Sequence, residues 1–123
     1  RVKGAVNGTD TVGGIAGGLV AQNDDSSAEC IGCCADVQVT AVRDIGGVLG
    51  RTNISSNCDL NSCYWSGSPD SAGVINAAVQ NFEKVPTKIS WTDATAKMNE
   101  TLGADFGWKF VCTDNSLPQP VRQ

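Results

Sequence analysis

The chain has 123 residues, of which 41% are hydrophobic and 18% charged, so it has the size of one domain and enough apolar material for a core. The net charge of −4 provides no basic stripe for nucleic acid, and no apolar run approaches the roughly 20 residues of a membrane span. The absence of histidine excludes Ser-His-Asp and Cys-His catalysis and histidine metal sites. Because the chain begins with Arg1 rather than Met, we expect a mature or excised piece of a longer protein.

The N-terminal half repeats itself at an offset of 33 residues. Residues 12–17 read Val-Gly-Gly-Ile-Ala-Gly and residues 45–50 read Ile-Gly-Gly-Val-Leu-Gly, and Cys30 aligns with Cys63 at the same offset. So much glycine opposes a helix, since each glycine costs roughly 1 kcal/mol relative to alanine. Short strands, permissive corners and a fixed period predict an all-β fold with two solenoid coils over residues 1–68.

Residues 69–123 have a different pattern and are predicted to form a capping segment within the same structural domain. Trp91, Ala94, Met98 and Leu102 are spaced to share one face of a helix. This is the one helix that the sequence predicts, and we expect it to help close one end of the solenoid, because an open end invites edge-to-edge pairing.

The boundaries of this helix have recognisable signals. Ser90 or Thr92 can cap its start, and Gly103 suits the position after its end. Residues 106–111 mostly alternate and predict a short strand, which a proline-ended tail follows. We expect Trp91, in the helix, and Trp108, within this strand, to lie in the core of the cap.

The two glycine-rich segments and the later Asn61-Ser62-Cys63-Tyr64-Trp65 segment resemble the GLUG repeat of bacterial surface proteins and adhesins. The likeness extends to the C-terminal part, where a Thr-rich helix over 92–102, a tryptophan and Pro120-Val121 resemble the segment that often follows the last repeat. The first copy has Ile31-Gly32 where the second has Tyr64-Trp65. The resemblance implies a right-handed parallel β-helix-like architecture and a cell-surface or secreted location, and it implies no catalytic reaction.

Six cysteines in a small acidic chain favour a disulfide-stapled fold in an oxidising compartment: Cys30, Cys33, Cys34, Cys58, Cys63 and Cys112. The 33-residue offset would place Cys30 and Cys63 on successive coils about 4.8 Å apart, within reach of a disulfide. The adjacent Cys33 and Cys34 would then bond to the remaining two, one each, although all 15 pairings stay open. The alternative is a four-cysteine zinc site, with Cys30-x2-Cys33 as one half and Cys58-x4-Cys63 as a looser second half.

Tyr64 and Trp65 are candidate ligand-stacking residues. Neighbouring residues of a strand alternate between its faces, so the competing interpretation is one buried ring and one outside. Asp70 is the nearest approach to a sugar-cleaving carboxylate, but glycoside hydrolysis needs a second carboxylate that the sequence does not identify.

Three asparagines begin Asn-x-Ser/Thr sequons and are possible glycosylation sites: Asn7, Asn53 and Asn99. They matter only in a source that glycosylates its proteins. In a chain rich in Asn, Ser and Thr, chance explains them about as well.

These observations predict a non-enzymatic, extracellular structural or adhesive module with no cofactor and no metal. Its expected partners are a host or neighbouring cell surface, a glycan or further copies of itself, with no nucleic acid and no membrane insertion. A carbohydrate-binding module and a subunit of an extracellular filament are the alternatives.

Overall fold

The computed structural model describes residues 1–23, 25–53 and 57–123. Strands make up 51% of it and one short α-helix is present, so the predicted all-β class with a single helix is confirmed. No helix among the described residues is long and apolar enough to cross a membrane.

The elements follow one another in chain order. The strands are β1 Val2–Asn7, β2 Asp10–Gly13, β3 Ala16–Leu19, β4 Ala28–Ile31, β5 Cys34–Thr40, β6 Arg43–Gly46, β7 Leu49–Thr52, β8 Cys58–Ser68, β9 Ala78–Lys84, β10 Trp108–Val111 and β11 Gln119–Arg122. The helix α1 spans Trp91–Leu102, and a 3₁₀ turn follows at Ala104–Phe106.

Three pairs of parallel strands share one register. β1 pairs with β5, β2 with β6 and β3 with β7, and the paired residues are 33 positions apart, as with Val12 beside Ile45 and Gly13 beside Gly46. The structure thus pairs the residues that the 33-residue offset aligned. The sheets are small, with one of five strands and three of two, and they do not form a clear solenoid.

The register falls to 30 residues where β4 and β5 pair with β8. Residues 20–27 connect β3 to β4, whereas the shorter segment 53–57 connects β7 to β8, which accounts for the difference of three. Cys30 therefore lies beside Leu60, and Cys33 lies level with Cys63. The predicted equivalence of Cys30 and Cys63 is wrong, because the spacing of the glycine segments gives no information on the length of the connections that follow them.

The two faces of strand β8 pack into two different hydrophobic cores. Trp65, only 2% exposed, lies on one face in a core with Val48 and Leu49 from the corner and start of β7. Tyr64, fully buried, lies on the other face in a core with Met98 from α1. Each face of β8 is covered, so the alternation of a strand here separates two interiors rather than an interior from solvent.

The helix α1 has the predicted ends. The Ser90 side chain accepts a hydrogen bond from the Asp93 backbone N–H at 3.1 Å, and Gly103, with φ of 80°, donates its N–H to the Asn99 carbonyl. The helix contacts β8, β10 and β4. It therefore covers a side of the five-stranded sheet, and the expectation that it helps to close an end of a solenoid stays a prediction.

The proline-ended tail forms a strand that the sequence did not predict. β11 pairs antiparallel with β10, and Pro120 lies opposite Phe110. The Asn99 side chain bonds both the N–H and the carbonyl of Phe110, at 2.7 and 2.9 Å. A proline without an N–H is tolerated opposite Phe110 because that residue's backbone groups already have partners.

Trp108 does not belong to the core as expected, since 48% of it is exposed. It lies at the start of β10, beside its partner Arg122, whose guanidinium carbon is 6.0 Å from the centre of the indole. Trp91, in contrast, is buried against the sheet as expected.

Candidate functional site

Three thiols meet in the interior. They belong to Cys30 on β4, Cys33 in the turn between β4 and β5, and Cys63 on β8. The Sγ atoms of Cys30 and Cys33 are 3.6 Å apart, those of Cys63 and Cys30 are 3.7 Å apart, and all three lie within 4.8 Å of one another. A disulfide needs about 2.05 Å between its sulfurs. The cluster is therefore a group of three free thiols.

The local backbone explains why Cys30 and Cys33 point the same way. On a regular strand, residues three apart face opposite sides. Gly32 between them has φ of 62°, and Ser62, level with Gly32 on β8, has φ of 54°. This paired left-handed kink, which glycine adopts without steric cost, turns both thiols inward and brings them above Cys63.

The cluster is anchored in apolar surroundings. Cys30 is 7% exposed and Cys63 is fully buried, and both belong to the core that contains Leu60 and Trp65. Cys33 is only partly buried and packs against the edge of that core. The cluster thus has two thiols in the apolar interior and one that is partly exposed.

The thiols hydrogen-bond in a chain. Cys63 donates to the carbonyl of Cys30 at 3.1 Å and to its sulfur, and Cys30 donates to the sulfur of Cys33. Hydrogen bonds from Cys30 and then Cys63 hold the pKa of Cys33 well below its usual range, because they stabilise its thiolate. The same bond to Cys33 raises the pKa of Cys30, and the bonds to its neighbours together with burial raise the pKa of Cys63 well above its usual range.

The other three cysteines are separate from this cluster. Cys34 faces the second core beside Tyr64, and burial raises its pKa to about 11. Cys58 is buried at a corner and donates to the Asn53 side chain at 3.2 Å, and Cys112 donates to the Ser116 carbonyl at 3.2 Å.

The predicted disulfide staple is not found in the structure. All six cysteines are free: Cys30, Cys33, Cys34, Cys58, Cys63 and Cys112. The preferred bond between Cys30 and Cys63 is not formed, because their sulfurs are 3.7 Å apart and Cys30 lies beside Leu60 rather than beside Cys63. The four-cysteine zinc alternative contained all three members of the cluster, but it also included Cys58, which lies elsewhere.

The structure brings neither Tyr64 nor Trp65 to the surface. Tyr64 is fully buried under the helix, and burial, followed by the nearby Glu83, raises its pKa to about 12. The Trp65 indole packs against Phe82 with ring centres 5.5 Å apart and donates its N–H to the Pro69 carbonyl at 2.9 Å. Neither the stacking platform nor the one-in, one-out alternative describes this pair, because α1 covers the second face.

A cleft of about 560 Å³ lies beside Trp65. Its lining includes Asp70, Glu83 and Lys84, and the Lys84 ammonium contacts the Asp70 carboxylate. Asp70 thus pairs with a cation rather than with a second carboxylate.

Two of the three sequon asparagines, Asn53 and Asn99, are partly buried and hydrogen-bond the backbone of a neighbouring segment. The Asn53 side chain donates to the Ala21 carbonyl at 2.7 Å and accepts from the Ala21 N–H at 3.3 Å, and Asn99 clamps β10 in the same way. The next two sequon positions after Asn53, 54 and 55, lie outside the described residues. Asn7 is exposed, at the end of β1, and its side chain accepts from Thr40.

Comparisons with known proteins found no matching family model, no similar curated protein and no similar solved structure. The resemblance to the GLUG repeat stays a prediction.

Proposed function

We propose that this chain is a non-catalytic structural or adhesive module of an extracellular protein. In this proposal the parallel ladders are the sides of a short right-handed β-solenoid, and residues 69–123 are its capping segment. The support is the shared offset of the three ladders and the resemblance of the glycine-rich segments to repeats of bacterial surface proteins.

The free edge of the first coil carries this proposal. Among the described residues, β1 pairs only with β5, β2 only with β6 and β3 only with β7. Each of these strands therefore has one side whose backbone groups face away from the protein's own sheets. Such an edge is a template for a further parallel strand. A further coil of the same kind would continue all three ladders at once.

Polar side chains already run in register along the outside of the ladders. Arg43 donates to Asp10 at 2.8 Å across β2 and β6, and Ser66 donates to Asp36 at 3.0 Å across β8 and β5. Contacts of this kind between directly paired residues favour one register between successive strands. The exposed Arg43–Asp10 ion pair adds little stability, so it would guide the register of a further strand more than it would stabilise the pairing.

A filament subunit is the second candidate, and a feature of the opposite edge favours it. Within the described part of the chain, β9 pairs only with β8. The two edge strands β1 and β9 of the five-stranded sheet therefore each have one unpaired side. The β9 edge of one copy can extend the β1 edge of the next in the same direction. Such a head-to-tail contact does not close and produces a fibre.

The carbohydrate-binding alternative has less support, because Tyr64 and Trp65 are both buried. It would require a ligand in the cleft beside Trp65. Binding on a glycan array that disappears in Trp65→Ala, while the variant stays folded, would favour it over the structural proposal.

The experiment that tests edge stacking blocks one backbone group of β1. Gly8 donates its N–H to the Thr40 carbonyl, so by the alternation of a strand the N–H of Ala5 points to the free side. Ala5→Pro removes that N–H, whereas Ala5→Ser keeps it. Sedimentation and electron microscopy at rising concentration should show end-to-end assembly of the native chain and of Ala5→Ser, and its loss in Ala5→Pro. A native chain that stays monomeric throughout would contradict the filament form of the proposal, and assembly unchanged in Ala5→Pro would contradict β1 as the contact.

A further inference from the structure

We propose that Cys30, Cys33 and Cys63 form a three-thiolate binding site for a zinc ion. The ligand set differs from the four-cysteine zinc site considered on the sequence, because Cys58 lies at a corner away from the cluster. The inference is independent of the proposed structural role.

The spacing of the sulfurs fits zinc. With zinc–sulfur bonds of about 2.3 Å, two sulfurs on a tetrahedral ion are about 3.8 Å apart. The distances of 3.6 Å from Cys30 to Cys33 and 3.7 Å from Cys30 to Cys63 lie close to that edge, and the third pair lies within 4.8 Å. Only small side-chain rotations separate this arrangement from three corners of a tetrahedron.

The backbone holds the three ligands in place before any ion binds. The Gly32 N–H donates to the Asn61 carbonyl at 3.0 Å, and the Tyr64 N–H donates to the Cys33 carbonyl at 2.9 Å. These two ladder bonds flank the cluster and tie the Cys-x2-Cys turn to β8. Little ordering is then left for the ion to impose, which favours affinity.

The chemistry of the donors selects a soft ion. The cluster contains sulfur ligands alone, with no carboxylate, so calcium and magnesium are disfavoured. Three thiolates around Zn²⁺ leave one net negative charge in an apolar core, whereas a monovalent copper ion would leave two, and buried charge is costly. Each cysteine binds as its thiolate and releases to solvent any proton that it still carries, with no change in oxidation state.

The fourth coordination position is left for water or an external ligand. Three protein ligands with one open position are typical of zinc sites that exchange a ligand. Cys33 is only partly buried and so marks the side from which the ion and that ligand would enter.

The test uses the full chain, reduced and stripped of metal under anaerobic conditions. Titration with Zn²⁺ against a chromophoric chelator should give one site per chain, and X-ray absorption at the zinc edge should show three sulfurs at about 2.3 Å. Cys33→Ser is the main variant, because a partly buried position tolerates serine. It should lower zinc affinity by more than about 100-fold, since changes even to residues behind metal ligands cost 10- to 100-fold.

Cys112→Ser is the matched control, because Cys112 is also partly buried and lies outside the cluster. It should bind zinc as the native chain does. Three results would each overturn the proposal: no retained zinc at one per chain, fewer than three sulfur neighbours, or equal loss of affinity in Cys112→Ser.

Discussion

Gly47 lies against the indole ring of Trp65. A Cβ added to Gly47 would be 1.9 Å from Cδ1 of that ring. Gly14, one coil earlier, lies in the same way against the Gly47 carbonyl, at 2.2 Å from an added Cβ. The repeated glycines therefore provide close approach between successive coils, and the second of them makes room for a tryptophan.

Gly47→Ala should destabilise the fold by about 1–3 kcal/mol or more, because the buried ring must move and overpacking in a filled core is costly. Gly18→Ala is the control, since an added Cβ there would have its nearest heavy atom 3.9 Å away. Its effect should stay within about 0.5 kcal/mol. Urea unfolding followed by tryptophan fluorescence measures both, and equal effects of the two substitutions would refute the role given to the contact.

Asn99→Ala should release β10 from the helix. It removes two hydrogen bonds and leaves the N–H and carbonyl of Phe110 without those partners, at a cost of about 1–3 kcal/mol. Asn7→Ala, on an exposed residue at the end of β1, should cost less. Amide hydrogen exchange would locate the effect, and protection of residues 108–111 that survives in Asn99→Ala would contradict the clamp.

Ser90→Ala should lower stability by about 1 kcal/mol, because it removes the acceptor for the Asp93 N–H at the start of α1. Ser90→Asp keeps an acceptor there and should be close to neutral. Thermal unfolding by circular dichroism separates the two. If both variants lose the same stability, packing rather than capping sets the contribution of Ser90.

No hydrolysis of polysaccharide, peptide or phosphoester substrates is expected from the purified chain, because Asp70 is held in an ion pair with Lys84 and so is not free to act together with Glu83, the other carboxylate of the cleft. Activity assays with these three substrate classes check this. Turnover that Asp70→Asn abolishes, in a variant that remains folded, would show that the chain is an enzyme.

The sequence predicted features that depend on local pattern. The glycine segments aligned β2 with β6 correctly, and the spacing from Trp91 to Leu102 located the helix with its Ser90 cap. Both follow from periodicity and from the chemistry of chain ends, which a few neighbouring residues determine.

What the sequence did not predict depends on distant parts of the chain. Tyr64 is buried because a helix some thirty residues later covers its side of β8. Pro120 sits in a strand because Asn99 already bonds the backbone opposite it. The three-thiol cluster forms because one corner is three residues shorter than its counterpart, and corner length leaves no trace in hydrophobic spacing.

The unequal corners carry a consequence for engineering. Residues 20–27 and 53–57 differ in length, yet the strands on both sides of them pair without interruption. A connection of either length is therefore compatible with strand pairing on both sides of it. Lengthening a loop costs only about 0.6 kcal/mol for each doubling. The connection between β3 and β4 is thus a suitable place to graft a foreign peptide, such as an epitope or a protease site, for display on a rigid support.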